Sequence, residues 1–174
     1  MARPTQAARK TRALDRAGYA IATGLGAGFA PVAPGTFGAI EGVGLYLGVT
    51  AIGLNSSSLF VALIALNVAL FGLGVWASAS ACRVSELEDP GQVVIDEVSG
   101  QLIALTPLAY AVPATSGAGI VLAFALFRLF DILKPYPIRR LERLHGGLGV
   151  MADDALAGVY AGLLVWLAIR FGFI

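Results

Sequence analysis

The chain has 174 residues, of which 57% are hydrophobic and only 13% charged, with a formal net charge of +1. The charged share is about half that of an ordinary soluble domain, and a net charge so near zero gives no reason to expect nucleic acid as a partner. Cys82 is the only cysteine, which excludes an intrachain disulfide, and the length indicates one unit over residues 1–174.

Residues 1–16 form a basic arm carrying Arg3, Arg9, Lys10, Arg12 and Arg16. It reads as an amphipathic segment or as a solvated tail that sets topology. It lacks the apolar core of a cleavable leader, so the first span is expected to act as the membrane signal. Residues 17–38 hold Gly24, Gly26, Gly28, Pro31, Pro34, Gly35 and Gly38. That is too many breakers for one regular helix, and a short helix followed by an interfacial loop is expected.

Five apolar helices are expected next, at about 37–54, 58–81, 97–112, 117–133 and 153–172, with ends good to about four residues. Residues 42–82 contain no charge over 41 positions and show no polar face of helical period. With Asn55-Ser56-Ser57-Ser58 as its turn, this run suits a hairpin of two membrane spans. Uncharged runs at 101–127, broken at Pro113–Gly117, and at 155–169 supply the other three. Their apolar portions are about 22 Å long at helical rise, so their acidic ends are expected to reach into the interface. The alternative is a soluble bundle of buried helices.

Cations gather in the arm, at Arg83 and from Arg128 to Arg143, while both short turns are uncharged. The positive-inside rule then puts the N-terminus, the 82–97 loop and the 134–153 loop in the cytoplasm, with the turns and C-terminus outside. The expected fold is an all-α polytopic membrane bundle with its site on the cytoplasmic face. Small residues recur four apart at Gly38/Gly42, Gly44/Gly48, Ala77/Ala81 and Gly158/Gly162, the spacing that lets helices pack closely in lipid.

Acids border these apolar helices at Asp89, Asp96-Glu97, Asp131 and Asp153-Asp154. Such acids are costly unless they pair or bind a cation. Asp153-Asp154 alone reads as a helix cap, but convergence of the clusters on one face favours a metal site. Oxygen donors without a His/Cys grouping favour Mg²⁺ over zinc. Asp89, Asp96, Glu97, Asp153 and Asp154 are the expected ligands, and Asp131 joins the last four as an expected catalytic group. Arg128, Lys134, Arg139 and Arg143, with Arg140 among them, suit a phosphate or anionic headgroups. Arg128 is the most telling of these, because it lies inside Phe127–Asp131 one turn from an acid. Pro31–Gly38 could offer backbone N–H groups and the Thr36 hydroxyl to an anion. Glu41 is a further ligand or a partner for Arg128, and His145 reads as incidental. Cysteine phosphatases need Cys-x5-Arg, yet Glu88 stands six after Cys82; Asp-x-Asp and Ser-Gly-His are absent too.

Four segments in order resemble the phosphatidylglycerophosphatase A family of bacterial membrane enzymes: Gly28–Gly38, Asp89–Gly100, Phe127–Arg139 and Gly146–Gly158. The resemblance implies Mg²⁺-dependent removal of the terminal phosphate from phosphatidylglycerophosphate in the bacterial inner membrane. Phosphatidylglycerol and inorganic phosphate would be the products. The substrate's acyl chains would stay in the bilayer while its headgroup reaches the site. Ala39 departs from the family pattern, which often has Ser there, and neither Glu41 nor His145 carries over from it. Water activated beside the metal is the expected nucleophile, with direct attack by an Asp as the alternative. A transferase of CDP-linked lipids would need Asp-x2-Asp-Gly-x2-Ala-Arg, which is absent. A cation transporter would set acids along the helix centres, and the second, third and fifth helices have none there.

Overall fold

An apolar chain with few polar side chains satisfies its backbone groups within helices, and all regular structure among the described residues is helical. The computed structural model describes residues 6–87, 90–111, 113–141 and 143–174, with side chains from Arg12 onward. In order these are α1 (Gln6–Ala22), a 3-10 segment (Gly24–Phe29), α2 (Pro34–Thr50), α3 (Ser56–Ser85) and α4 (Ile95–Leu105). A second 3-10 segment (Thr106–Tyr110), α5 (Gly117–Leu133), α6 (Ile138–Leu141) and α7 (Gly147–Arg170) complete the chain.

Local chemistry sets most helix ends. Asn55 Oδ1 accepts from the Ser58 N–H at 3.0 Å to start α3, and Ser116 Oγ accepts from the Gly119 N–H at 3.5 Å to start α5. Pro34 opens α2, where a missing N–H costs nothing. The expected third helix is shorter than read. Pro107 has no N–H to return to the Ile103 carbonyl, so the chain tightens into the 3-10 segment after Leu105.

Two elements differ further from expectation. The basic arm is helix from Gln6 and runs on to Ala22. It packs along α3, with Gly18 against Ser80 and Asp15 paired to Arg83 at 2.7 Å. The last helix begins at Gly147, ahead of the expected 153. Its glycines read as loop residues, but Gly147 and Gly149 sit where a Cβ would overlap the Val75 and Leu144 carbonyls. They are there for close packing.

Nearly every side chain of α4 is buried, and α2, α3, α5 and α7 surround it. Glycines bring these helices together: Gly38 and Gly42 of α2 lie against the Val94 and Val98 carbonyls, and Gly158 of α7 lies against the Gly100 carbonyl. Ala77 and Ala81 are fully buried. Gly44 and Gly48 face open space, so that pair arises from composition alone.

Among the described residues two helices, α3 and α7, are long and apolar enough to cross a membrane. At 30 residues α3 is about 45 Å long, and it leaves Val61, Ile64, Val68, Leu73 and Trp76 exposed. A buried helix of a soluble protein would hide such a face, whereas lipid accommodates it. The protein is therefore membrane-associated.

Candidate active site

The N-termini of α2, α4 and α7 meet the C-terminus of α5 at one end of the bundle. There a cavity of about 340 Å³ is lined by Asp96, Glu97, Asp131, Lys134, Asp153 and Asp154, together with His145 and the 90–93 turn. Asp96 and Glu97 occupy the first turn of α4. Asp153 and Asp154 lie two turns inside α7, so they are not caps. Successive residues on a helix point about 100° apart. Accordingly Asp153 meets Lys134 Nζ at 2.6 Å, while Asp154 joins Asp96 and Glu97, their ligand atoms all within 4.8 Å of one another. Asp131 reaches the same group from α5, beside Asp154.

Arg128 stands behind this wall. Its Nη1 is 2.6 Å from Asp131 Oδ2 and 4.0 Å from Glu97 Oε1. No N–H of Nη1 points along the short approach, so the contact is one of charge more than an aligned hydrogen bond. Gly35 of α2 closes the back, and a Cβ there would overlap the Glu97 carboxylate and sit 3.0 Å from Arg128 Nη1. The sequence marked Gly35 only as a breaker within the Gly28–Gly38 segment, and the packing of α2 on α4 gives it this place.

Among the described residues five carboxylates face two cations in a partly dry space, a formal excess of three negative charges when every acid is ionised. Asp96 Oδ1, Glu97 Oε2 and Asp154 Oδ2 are buried without a hydrogen-bond partner. Each such atom costs about 1–3 kcal/mol. Hard oxygens that are close together, unpartnered and in excess of positive charge are what a divalent cation satisfies.

The other expected site residues fall elsewhere. Thr36 is half-buried next to Gly35 but does not line the cavity, and its N–H donates to the Ala33 carbonyl, which weakens the anion-loop reading. Arg139 and Arg143 line a separate groove that Lys134 joins to the acid cavity. Glu41 is neither a cavity residue nor a partner of Arg128; its carboxylate lies against Gly24. Asp89 lies outside the described residues, though Pro90 is at the cavity rim. His145, read as incidental, is a lining residue. Its place just ahead of Gly146-Gly147 and the acid pair was the available signal.

The membrane-length α7 carries Asp153 and Asp154 into a cavity of carboxylates and Lys134, a donor set suited to phosphate chemistry at a membrane. Residues 20–169 match the family model described as Phosphatidylglycerophosphatase A. A Haemophilus influenzae protein of that name is 40% identical over 149 residues, covering 85% of this chain and 86% of the relative. The Escherichia coli protein of that name is 32% identical over 151 residues, covering 86% and 82%. A Bacteroides thetaiotaomicron protein, provisionally named phosphatidylinositol-3-phosphatase, is 41% identical over 150 residues, covering 85% and 91%. No solved structure matches. The chain belongs to the phosphatidylglycerophosphatase A family.

Proposed function

We propose that this chain removes the terminal phosphate of phosphatidylglycerophosphate, leaving phosphatidylglycerol and inorganic phosphate. The observation that carries this reading is the family match over residues 20–169. The geometry supports it, because among the described residues every Asp, Glu and Lys lining the cavity lies in one of the four motif segments.

On this reading Asp96, Glu97 and Asp154 hold Mg²⁺, with Asp153 at their side and Asp89 as a further ligand. Mg²⁺ held by these residues would supply positive charge to offset repulsion between the acids and the phosphate and would act as a Lewis acid on it. Lys134 anchors Asp153, and Arg128 anchors Asp131. Asp131 and Asp153 are so placed to take a proton from attacking water. Lys134, Arg139 and Arg143 contribute to binding the headgroup, while Arg128 acts from behind the acids and Thr36 from beside Gly35. The purified protein should release phosphate from phosphatidylglycerophosphate faster than from phosphatidic acid, and only with Mg²⁺. Equal rates with a chelator present would sink the metal assignment. Faster release from phosphatidylinositol 3-phosphate would move the substrate to the chemistry named for the Bacteroides relative.

The five-span topology belongs to the same proposal. At 17 residues each, α2 and α5 are about 26 Å long. The uncharged turns at 51–55 and 113–116 follow α2 and precede α5, so they lie at the end away from the acid cavity. In a Cys82-free background, cysteine at Ser57 or Ser116 should react with an impermeant thiol reagent added to intact cells, and cysteine at Ser85 should not. The opposite labelling pattern would turn the site outward.

A further inference from the structure

Beside the acid cavity lies a groove of about 430 Å³ whose lining includes Lys134, Tyr136, Arg139, Arg140 and Arg143. Its character is the reverse of the first, with four cations and no carboxylate among the described residues of the lining. Among the described residues Arg139, Arg140 and Arg143 have no ion pair. Arg140 lies over the Tyr136 ring, 4.8 Å from its centroid. Stacking fixes the plane of a guanidinium while its edge still donates hydrogen bonds, the arrangement that suits a phosphate. The fully buried Ile138 pins α6, which carries Arg139 and Arg140, to the bundle.

Lys134 joins the two spaces. It ends α5 in a left-handed conformation, with φ of 43°, and it lines both the acid cavity and the groove. A ligand entering both must therefore carry two anionic groups a few bonds apart. Leu133 and Tyr136, which line the groove, are 58% and 71% exposed. Aliphatic and tyrosine side chains beside arginines mark the level of lipid headgroups.

We propose that the groove binds the phosphodiester of the lipid whose terminal monoester occupies the acid cavity. This rests on the reaction proposed above and deepens it. The enzyme would recognise a lipid with two phosphates separated by one glycerol unit, and would discriminate against phosphatidic acid, which has a monoester alone. The diester survives the reaction, so the product phosphatidylglycerol occupies the groove and competes with substrate.

The same diester chemistry could come from a second anionic lipid molecule, and the test separates the two sources. Phosphate release is measured in neutral detergent micelles on phosphatidylglycerophosphate and on phosphatidic acid, with phosphatidylglycerol added in increasing amounts. The proteins compared are wild type, the triple variant Arg139→Gln/Arg140→Gln/Arg143→Gln, and Arg140→Gln alone, which keeps the proposal testable should the triple variant fail to fold. The triple variant should raise KM for phosphatidylglycerophosphate at least tenfold more than KM for phosphatidic acid, with Arg140→Gln intermediate. Phosphatidylglycerol should inhibit wild type competitively, and the variants less. Equal losses on both lipids, or no loss on phosphatidylglycerophosphate, overturn the groove's role. Activation of wild type by added phosphatidylglycerol overturns it in favour of a separate lipid. A wild type inactive on phosphatidylglycerophosphate overturns the proposed reaction itself, whatever the variants do.

Discussion

Asp96→Asn and Asp154→Asn should each lower phosphate release by about 100-fold or more, beyond the 10–100-fold typical of outer partners at metal sites, while the protein stays folded. Asn keeps the shape of Asp and removes its charge. Asp96 Oδ1 and Asp154 Oδ2 are buried without partners in a cluster that already has surplus negative charge. In the absence of metal, removing one charge relieves repulsion, so melting temperature should hold or rise. Mg²⁺ should raise the melting temperature of the wild type by mass action and leave the variants nearly unmoved. Thermal melts with and without Mg²⁺ test this independently of catalysis. Variants that turn over normally and are stabilised by Mg²⁺ like the wild type would place the metal elsewhere.

Arg128→Lys should impair catalysis at least tenfold although it keeps the charge, because a compact ammonium cannot spread that charge over Asp131 and Glu97 together as the guanidinium does. Arg128 touches Asp131 at 2.6 Å and approaches Glu97 at 4.0 Å, so it holds the acids of two helices in one arrangement. A fall in kcat with KM unchanged indicates action on the transferring phosphate, and a raised KM with kcat intact indicates a ground-state clamp. Gly35→Ala probes the same contact from the opposite wall. Alanine favours a helix over glycine by about 1 kcal/mol, yet its methyl group would displace the Glu97 carboxylate and crowd Arg128 Nη1. Activity should fall about tenfold or more with helix content unchanged. Wild-type kcat and KM in a stable Arg128→Lys protein would remove Arg128 from the mechanism.

Much of the candidate site was legible because charge is scarce in this chain. In sequence that is 57% hydrophobic, an acid or arginine beside an apolar run is conspicuous, and Asp96, Glu97, Asp131, Lys134, Asp153 and Asp154 do share one cavity. Glycine misled in one place and informed in another. Gly147 and Gly149 read as loop but are helical, since a glycine chosen for contact with a neighbouring carbonyl looks like one chosen for a turn. The Gly158/Gly162 spacing was a packing signal, and Gly158 does lie on the Gly100 carbonyl.

By itself the sequence determined that the chain is helical, that it suits lipid, and which acids and cations are costly enough to need a purpose. These follow from local patterns: uncharged runs, the polar turn at Asn55–Ser58, the Gly/Pro breakers of residues 17–38, and the scarcity of charge. Only the tertiary structure decided which charges meet. Asp153 and Asp154 are adjacent in sequence, yet helical geometry turns one to Lys134 and the other to Asp96 and Glu97. Arg139 and Arg143 fall in a basic groove apart from the acids, Glu41 turns to Gly24, and His145 enters the cavity. The physical reason is that side-chain direction depends on where each helix begins and how closely its neighbours approach. Here backbone-to-glycine contacts between α2, α4 and α7 set that approach, and they join residues far apart in the chain.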